Sequence, residues 1–290
     1  MARFKGNPIL GPIPGNHWES RYVFNPAMFE AGGRVHFLYR AMGEDMISRI
    51  GYASSTDGYK IDERLKVPVF EPLNPCETRG VEDPRVTVMG ANCIMTYTAF
   101  GGIPQIGITS ISMNDVLEKK WVWRERFYPF PGVINKNSAL FPRKMGEDYV
   151  LFHRIDPNIC IAYSKDLTHW SDSGPVMRPR ENHWDCLKIG IAGQPLELKE
   201  GWLQIYHGVD YNRIYRLGAL LLDTEDPKKI LYRSEEPFLE PLEDYECNGL
   251  VPNVVFSCGA VIRGDEVLIS YGASDSVICV SNFKIDELLK

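Results

Sequence analysis

Short apolar runs alternate with polar turns along the whole chain, and the pattern repeats five times. Each copy begins with small or polar residues and continues as two apolar segments joined by a turn. The copies start 54 to 59 residues apart, at Asn25, Asp83, Asn137, Gly193 and Pro252. A third apolar segment, such as GYASSTDG in the first copy, then runs into a polar turn. Short runs rich in Val, Ile, Tyr and Phe between turn residues are typical of β-strands.

This repeat predicts an all-β fold, a five-bladed β-propeller. A fixed period of this length indicates a repeat architecture, and units of about four strands fit propeller blades. Helical patterning is scarce, with short helices expected only at residues 113–120 and 284–290. No low-complexity linker interrupts the chain, so we expect residues 1–290 to form one domain. The N-terminal segment should pair with the last strand, because closure of the ring protects sheet edges.

Composition narrows the possible partners. The formal net charge of −6 argues against a surface for nucleic acid or anionic membrane. Seven scattered cysteines without a CxxC pair are typical of free thiols in a reducing compartment. The N-terminus has no apolar run of signal-peptide length, and no stretch of the chain approaches the ~20 apolar residues of a membrane span. We expect a cytoplasmic protein without nucleic-acid or membrane partners, which could form a homo-oligomer.

Polar residues recur at equivalent places in the copies. The first polar residues are Asn25, Asp83, Asn137, Gln194 and Asn253, and the second segments end near Arg40, Arg154, His207 and Asp275. A propeller would gather such positions around its axis, and convergent polar groups in a concave site indicate an active site. Asn or Asp before proline commonly caps a turn. Turn capping does not explain the charged residues at the ends of the second segments.

The second copy contains adjacent carboxylates in the sequence RGVEDPR. Glu82 and Asp83 lie between Arg79 and Arg85. Neighbours in an extended strand point to opposite faces, so we expect only one to face the pocket, and the repeat selects Asp83. A carboxyl group there could act as a general acid if its pKa were raised. A structural ion pair with a flanking arginine is an equally good interpretation.

The third and fourth copies contribute cations and amide donors to the same predicted pocket. The residues are Lys136, Asn137, Arg154, Lys188 and His207. Such a cluster in an acidic protein suggests an anionic ligand, most simply phosphate. Arg154 and Lys188 could instead pair with nearby carboxylates such as Asp156 and Asp185. The sequence has no metal-binding or nucleotide-binding motif, and we predict no metal site and no organic cofactor.

Several segments together resemble glycoside hydrolase family 130, which comprises mannoside phosphorylases and some mannosidases on a five-bladed propeller. The segments are NPIL, FNPAMF with LYRA, SRIGYASSTDG, GVEDPR, NSALFPRK, KIGIAGQP with GWLQIYHG, RLGALLLD, and NVVFSCG with YGASD. The resemblance extends from about residue 7 to residue 275, which is nearly the whole chain.

The resemblance implies a role for each candidate residue. Asp83 matches the family's general acid, whose proton is thought to pass through the 3-hydroxyl of the bound mannose. Three residues match positions that hold the mannose, with Arg49 as a neighbour: Asn25, Arg40 and Asp275. Five residues fall where phosphorylase members bind phosphate: Lys136, Asn137, Arg154, Lys188 and His207.

The resemblance further implies a phosphorylase, because hydrolytic members replace basic phosphate ligands with carboxylates, whereas this chain keeps Arg154 and His207. Inverting hydrolysis needs two carboxylates on opposite faces of the sugar, while phosphorolysis needs one acid and cations that position phosphate. We expect inverting cleavage of β-1,2-mannobiose or short β-1,2-mannooligosaccharides by inorganic phosphate, which releases α-D-mannose 1-phosphate. The alternatives are a β-1,4-mannoside phosphorylase, a mannosidase that uses water, and a carbohydrate-binding propeller without catalysis.

Overall fold

A computed structural model describes residues 2–290 of the chain and contains five antiparallel β-sheets. Successive sheets contact one another in chain order, and the fifth contacts the first. The sheets therefore form a closed ring, and the predicted five-bladed β-propeller is confirmed.

The strands of each blade follow one another along the chain. The chain begins with β1 (Ala2–Arg3), and the first blade has β2 (Tyr22–Ala31), β3 (Arg34–Met42), β4 (Arg49–Ser55) and β5 (Glu63–Arg64). The second blade has β6 (Gly80–Met89), β7 (Asn92–Phe100) and β8 (Pro104–Ser112). The third has β9 (Lys136–Leu140), β10 (Tyr149–Ile155), β11 (Asn158–Ser164) and β12 (Ser171–Met177). The fourth has β13 (Lys188–Ile191), β14 (Leu196–Glu197), β15 (Trp202–Val209), β16 (Tyr215–Leu222) and β17 (Ile230–Arg233), and the fifth has β18 (Val255–Arg263), β19 (Glu266–Ala273) and β20 (Val277–Lys284).

The two ends of the chain close the ring within the fifth blade. Strand β1 pairs with β20, with Arg3 opposite Ser281, and Leu10 forms a further bridge to Ile278. The predicted pairing of the N-terminal segment with the last strand is therefore confirmed. The outer edge of β20 is covered, as closure of a propeller requires.

Helices are few and short. They are α1 (Met113–Leu117), α2 (Asp244–Cys247) and α3 (Ile285–Leu288), together with 3₁₀ turns at His17–Glu19 and Pro75–Glu77. The first and third lie within the two segments that the sequence predicted. Ser112 caps α1, because its hydroxyl accepts a hydrogen bond of 3.0 Å from the backbone amide of Asp115. No helix within residues 2–290 combines the length and apolar character needed to cross a bilayer.

A buried tyrosine–carboxylate pair recurs in four blades. In each pair, the tyrosine of the second full strand donates a hydrogen bond to a carboxylate in a segment outside the strands. The pairs are Tyr39–Glu19, Tyr97–Glu77, Tyr206–Asp185 and Tyr271–Glu246, with O–O distances of 3.0, 2.6, 2.9 and 2.8 Å. An arginine also donates to each carboxylate: Arg64, Arg126, Arg233 and Arg3. Complete pairing offsets much of the cost of burying these charges. The sequences NHWE, NPCE, NHWD and EDYE mark the four carboxylates.

Candidate active site

Three blades begin with a bulge that turns one polar side chain out of the alternating strand pattern. The pairing of β2 with β3 slips at Asn25, that of β6 with β7 at Asp83, and that of β9 with β10 at Asn137. These residues have φ angles of 48°, 50° and 53°, in the left-handed region that Asn and Asp enter more readily than most residues. A bulge re-aims a side chain, and all three side chains line one cavity.

In the fifth blade, the bulge lies at a different position from the one that the sequence repeat predicted. The pairing of β18 with β19 slips between Phe256 and Gly259, which places Ser257 at the bulge. Asn253, the residue aligned with the other three, lies before the strand, so that part of the alignment was wrong. Asp275 lies in the turn after β19, with φ of 50°.

A cavity of about 340 Å³ opens where the blades meet. Residues from all five blades line it, which places it at the axis of the ring. Eight predicted site residues are among them: Asn25, Arg40, Asp83, Lys136, Asn137, Arg154, Lys188 and Asp275. The structure therefore brings these eight residues together around one cavity.

Two residues of the first blade hold the Asp83 carboxylate. Asn25 Nδ2 donates to Asp83 Oδ1 at 2.9 Å, and Arg40 Nη1 donates to the same oxygen at 3.2 Å. The flanking Arg85 instead donates its Nη1 to the backbone carbonyl of Asp83 at 2.9 Å. Asp83 thus has a structural ion pair, but its partner comes from another blade rather than from the adjacent sequence.

Glu82 and Asp83 both accept hydrogen bonds from Arg40. Arg40 Nη2 donates to Glu82 Oε1 at 2.7 Å, and Lys136 Nζ donates to Glu82 Oε2 at 3.0 Å. Only Asp83 lines the cavity, but both carboxylates contact the Arg40 guanidinium. The strand alternation used in the sequence argument therefore does not separate them.

Two of the aspartates that line the cavity, Asp83 and Asp275, have opposite pKa shifts. Burial favours the neutral form of Asp83, but Arg40, Lys136 and Arg85 outweigh it and lower the pKa of Asp83 to about 2. Burial raises the pKa of Asp275 to about 7, opposed by Arg40 and reinforced by the charge of Asp83. Asp83 is therefore ionised, and of these two carboxyl groups it is Asp275 that has the raised pKa.

Cations of the third and fourth blades form the other side of the cavity. Arg154 Nε lies 2.7 Å from Asp156 Oδ1, so the local ion pair considered for Arg154 is present. Lys188 has no carboxylate partner within residues 2–290, and its ammonium group lies over the Tyr215 ring, 5.6 Å from the centroid. Asp185, the partner considered for Lys188, is instead bound by arginines of the fourth blade.

His207 lies behind the cavity wall and is fully buried. Asn137 Nδ2 is 3.1 Å from His207 Nε2, and the imidazole ring packs against Phe256 with centroids 4.7 Å apart. Burial, together with the charges of Arg154 and other cations, lowers the pKa of His207 well below its usual value. A neutral His207 accepts the hydrogen bond from Asn137, so it acts on the cavity through that amide.

Arg49 lies outside the set of residues that line the cavity. Its guanidinium donates to Asp45 at 2.9 Å and to Glu71 at 3.2 Å. Two polar lining residues, Asn135 and Tyr215, are not among those that the sequence indicated. Asn135 immediately precedes Lys136, and this adjacency to a predicted site residue was its only signal.

The chain is similar to known proteins over nearly its whole length. A family model described as beta-1,4-mannooligosaccharide phosphorylase matches residues 5–290. The chain belongs to glycoside hydrolase family 130. It is 43% identical to a beta-1,2-mannobiose phosphorylase of Thermoanaerobacter sp. (strain X514), over 97% of this chain and 96% of that protein. A 1,2-beta-oligomannan phosphorylase of the same organism is 38% identical, over 99% of this chain and 98% of that protein.

A solved structure also has the same fold as this family 130 propeller. It is a beta-1,2-mannobiose phosphorylase from Listeria innocua in complex with beta-1,2-mannobiose. The TM-score is 0.86 at 26% sequence identity, and the match covers 99% of this chain and 97% of that one. The likeness extends over the whole ring and includes the blades that form the cavity.

Several buried polar atoms around the cavity of this family 130 enzyme have no hydrogen-bond partner within residues 2–290. They include Asn25 Oδ1 and Asn135 Oδ1 on lining residues, and Nδ1 of the neighbouring His207. Unsatisfied buried polar atoms are rare in proteins, and their concentration here favours a polar ligand. No three His, Cys, Asp or Glu side chains within the described part of the chain are grouped so as to hold a metal ion.

Proposed function

We propose that this family 130 enzyme is an inverting β-1,2-mannoside phosphorylase. It uses inorganic phosphate to cleave a terminal β-1,2-mannosyl linkage in β-1,2-mannobiose or a short β-1,2-mannooligosaccharide, and it releases α-D-mannose 1-phosphate. The observation that carries the proposal is the division of one cavity. Asp83 lies on the side of the first and second blades, while Lys136, Arg154 and Lys188 come from the third and fourth.

The placement of the acid and the cations on two sides of the cavity suits a substitution that inverts the anomeric carbon. The mannosyl residue lies between the two sides, held by Asn25, Arg40 and Asp275. A phosphate oxygen attacks the anomeric carbon from the cation side as the bond to the leaving oxygen breaks on the other. Asp83 supplies the proton of the leaving hydroxyl, relayed through the mannose 3-hydroxyl. Fixed cations position phosphate and offset its charge, which suffices because phosphate is itself a nucleophile.

The choice of β-1,2 linkage is supported by the named relatives. Both Thermoanaerobacter proteins and the Listeria structure carry β-1,2-mannoside phosphorylase names at up to 43% identity. The family model carries a β-1,4 description, so β-1,4-mannosides are the comparison substrate in the test.

The deciding experiment incubates the purified protein with β-1,2-mannobiose or β-1,4-mannobiose, each with and without inorganic phosphate. We expect α-D-mannose 1-phosphate only from the β-1,2 substrate and only with phosphate, measured by phosphorus NMR, which also reports the anomeric configuration. Mannose 1-phosphate from the β-1,4 substrate alone would overturn the linkage. A β-anomeric product would overturn inversion.

One observation favours a hydrolase as the second candidate. Asp156 is a carboxylate on the cation side of the cavity, where a water-activating base would lie in an inverting glycosidase. Its carboxylate is paired with Arg154 at 2.7 Å, which argues for a role in orienting the guanidinium. Free mannose formed without phosphate would identify the hydrolase.

We also propose that the enzyme works in the cytoplasm as one catalytic domain of 290 residues. All seven cysteines are free thiols, which suits a reducing compartment. The proposed chemistry uses phosphate as a co-substrate and requires no metal or organic cofactor. Activity that survives prolonged dialysis against a chelator would agree with this, and loss restored by a divalent cation would contradict it.

A further inference from the structure

Glu82 connects the two sides of the cavity through one carboxylate. Its Oε1 accepts from Arg40 Nη2 at 2.7 Å, and its Oε2 accepts from Lys136 Nζ at 3.0 Å. Arg40 also binds Asp83, while Lys136 belongs to the proposed phosphate side. The Glu82 side chain is only 6% exposed, so these two cations, rather than water, are its partners. We call Arg40–Glu82–Lys136 the Glu82 bridge.

The charges of this cluster balance in the open cavity. Glu82 and Asp83 carry two negative charges, and Arg40 and Lys136 carry two positive ones. A phosphate dianion on the cation side competes with Glu82 for Lys136. When Lys136 turns to phosphate, the two adjacent carboxylates share Arg40 alone. Two buried carboxylates that share one cation do not both stay ionised, so the pair takes up one proton. Asp83 is the member of the pair that lines the cavity, so it is the one that can pass this proton to the substrate.

The other charged groups around Asp83 do not reverse this effect. Arg85, on the same strand, is fixed by backbone carbonyls of Asp83 and Ile191. Arg154 of β10 lies on the side where phosphate binds, so phosphate also offsets its charge. Asp275, from the turn after β19, raises the pKa of its neighbours when it ionises. Lys136 is among the cations that keep the pKa of Asp83 low, and it is the one that phosphate can draw away.

We propose that Glu82 is a positioning residue that couples phosphate binding to protonation of Asp83. The inference rests on the proposed phosphorylase function and deepens it by assigning an order of events. Asp83 is a carboxylate in the open enzyme, and it receives a proton from solvent as phosphate draws Lys136 from the Glu82 bridge. The acid is therefore ready only when the nucleophile is in place, which disfavours cleavage by water.

Substitution Glu82→Gln tests the coupling in steady-state kinetics. The amide keeps the size of the side chain but removes the charge that competes for Lys136 and drives protonation of Asp83. We expect the KM for phosphate to fall several-fold, and kcat at pH 7.5 to fall about tenfold, which corresponds to a shift of one pKa unit. Because a general acid must be protonated, the decline of kcat with rising pH should begin at lower pH than in the wild type.

Glu77→Gln is the matched control. Glu77 is another buried glutamate of the second blade, paired with Arg126 and Tyr97, and it does not line the cavity. Its substitution should lower thermal stability without moving the pH dependence of kcat or the KM for phosphate. An unchanged pH dependence in Glu82→Gln, or a shift of equal size in both variants, would overturn the proposal.

A second measurement uses the wild type, so it does not depend on folding of a variant. Sulfate serves as a dianion that does not titrate near neutrality, and its binding is followed by calorimetry at pH 7 in two buffers of different ionisation enthalpy. We expect sulfate binding to take up protons from the buffer, and to take up fewer in Glu82→Gln. Sulfate binding with no proton uptake, or no sulfate binding at all, would overturn the coupling.

The two failures are distinguishable. Phosphate-dependent formation of mannose 1-phosphate without proton uptake would retain the phosphorylase function and remove the role of Glu82. Proton uptake on sulfate binding without phosphate-dependent turnover would retain the coupling between anion and acid, and would remove the proposed reaction.

Discussion

Asn137 and His207 lie on neighbouring blades and are joined by a hydrogen bond of 3.1 Å between Nδ2 and Nε2. Asn137 lines the cavity, whereas His207 is fully buried behind it. The pairing fixes the amide of Asn137 across the boundary between the third and fourth blades. We therefore expect His207 to contribute to the cavity by positioning Asn137 rather than by touching a ligand.

Replacement His207→Ala should weaken phosphate binding. Loss of one hydrogen bond, worth about 1 kcal/mol, leaves the Asn137 amide free to rotate, so the KM for phosphate should rise roughly two- to tenfold. Because the pKa of His207 lies well below its usual value, the variant should keep the wild-type pH dependence between pH 6 and pH 8. A change confined to the KM for the mannoside would contradict the assignment.

The same pairing can be disturbed from Gly190 on β13. A Cβ atom at this position would lie 2.5 Å from Asn137 Nδ2 and 2.5 Å from His207 Cε1. Gly190→Ala should therefore raise the KM for phosphate, although neither polar partner is removed. Gly102→Ala is the control, because a Cβ atom there meets nothing within 4 Å. Equal kinetic effects of the two substitutions would show that the close approach does not matter.

Asp83→Asn should abolish most turnover. The amide occupies the same space beside Arg40 and Asn25 but cannot supply a proton, and loss of a general acid costs roughly 10²- to 10⁴-fold in rate. Sulfate binding and the melting temperature show whether the cavity is intact in the variant. Turnover close to that of the wild type would exclude Asp83 as the acid.

The tyrosine–carboxylate pairs make a prediction about stability. Tyr97→Phe removes a donor from the buried Glu77 carboxylate, which should destabilise the fold by about 1–3 kcal/mol and lower Tm by several degrees. Activity of the folded protein should change little, since Tyr97 does not line the cavity. Tyr163→Phe is the control, because this half-buried tyrosine of the third blade has no carboxylate hydrogen-bond partner among residues 2–290. Similar melting temperatures for the two variants would count against the pairs as a source of stability.

Asp275 predicts a stability effect that depends on pH. Its pKa of about 7 exceeds the value of about 3.9 expected in the unfolded chain. Its contribution to stability is therefore fully present below pH 4 and is lost as the pH rises through 7. Asp275→Asn should raise Tm at pH 8 and leave it nearly unchanged at pH 4. A variant less stable than the wild type at pH 8 would show that the Asp275 carboxylate is stabilised by its neighbours.

Much of the site was predicted because it follows from the repeat. Once a period of 54 to 59 residues places Asn25, Asp83 and Asn137 at equivalent positions, ring closure brings them together whatever the details of each blade. The fifth copy was aligned wrongly at Asn253. The loop before β18 is also apolar, so the hydropathy pattern does not show where the strand begins. A bulge is recognised from strand pairing, and the hydropathy pattern carries no record of it.

Glu82 shows the limit of strand alternation. Alternating sides hold only while the backbone stays extended, and Asp83 leaves that region with φ of 50°. The two carboxylates then meet on Arg40, which lies forty-two residues from Glu82 in the chain. For the same reason, the sequence predicted a flanking arginine as the partner of Asp83, whereas the partner is Arg40 of another blade.

The sequence by itself determined the all-β repeat, the five blades, the closure of the ring and the identity of most polar residues that line its axis. These follow from the period of apolar segments, which is a local property of the chain. Only the tertiary structure decided that Asp83 is ionised while Asp275 has the raised pKa, that His207 acts through Asn137, and that Glu82 bridges two blades. Charge and hydrogen bonding depend on distances between residues remote in sequence, and only the closed ring sets those distances.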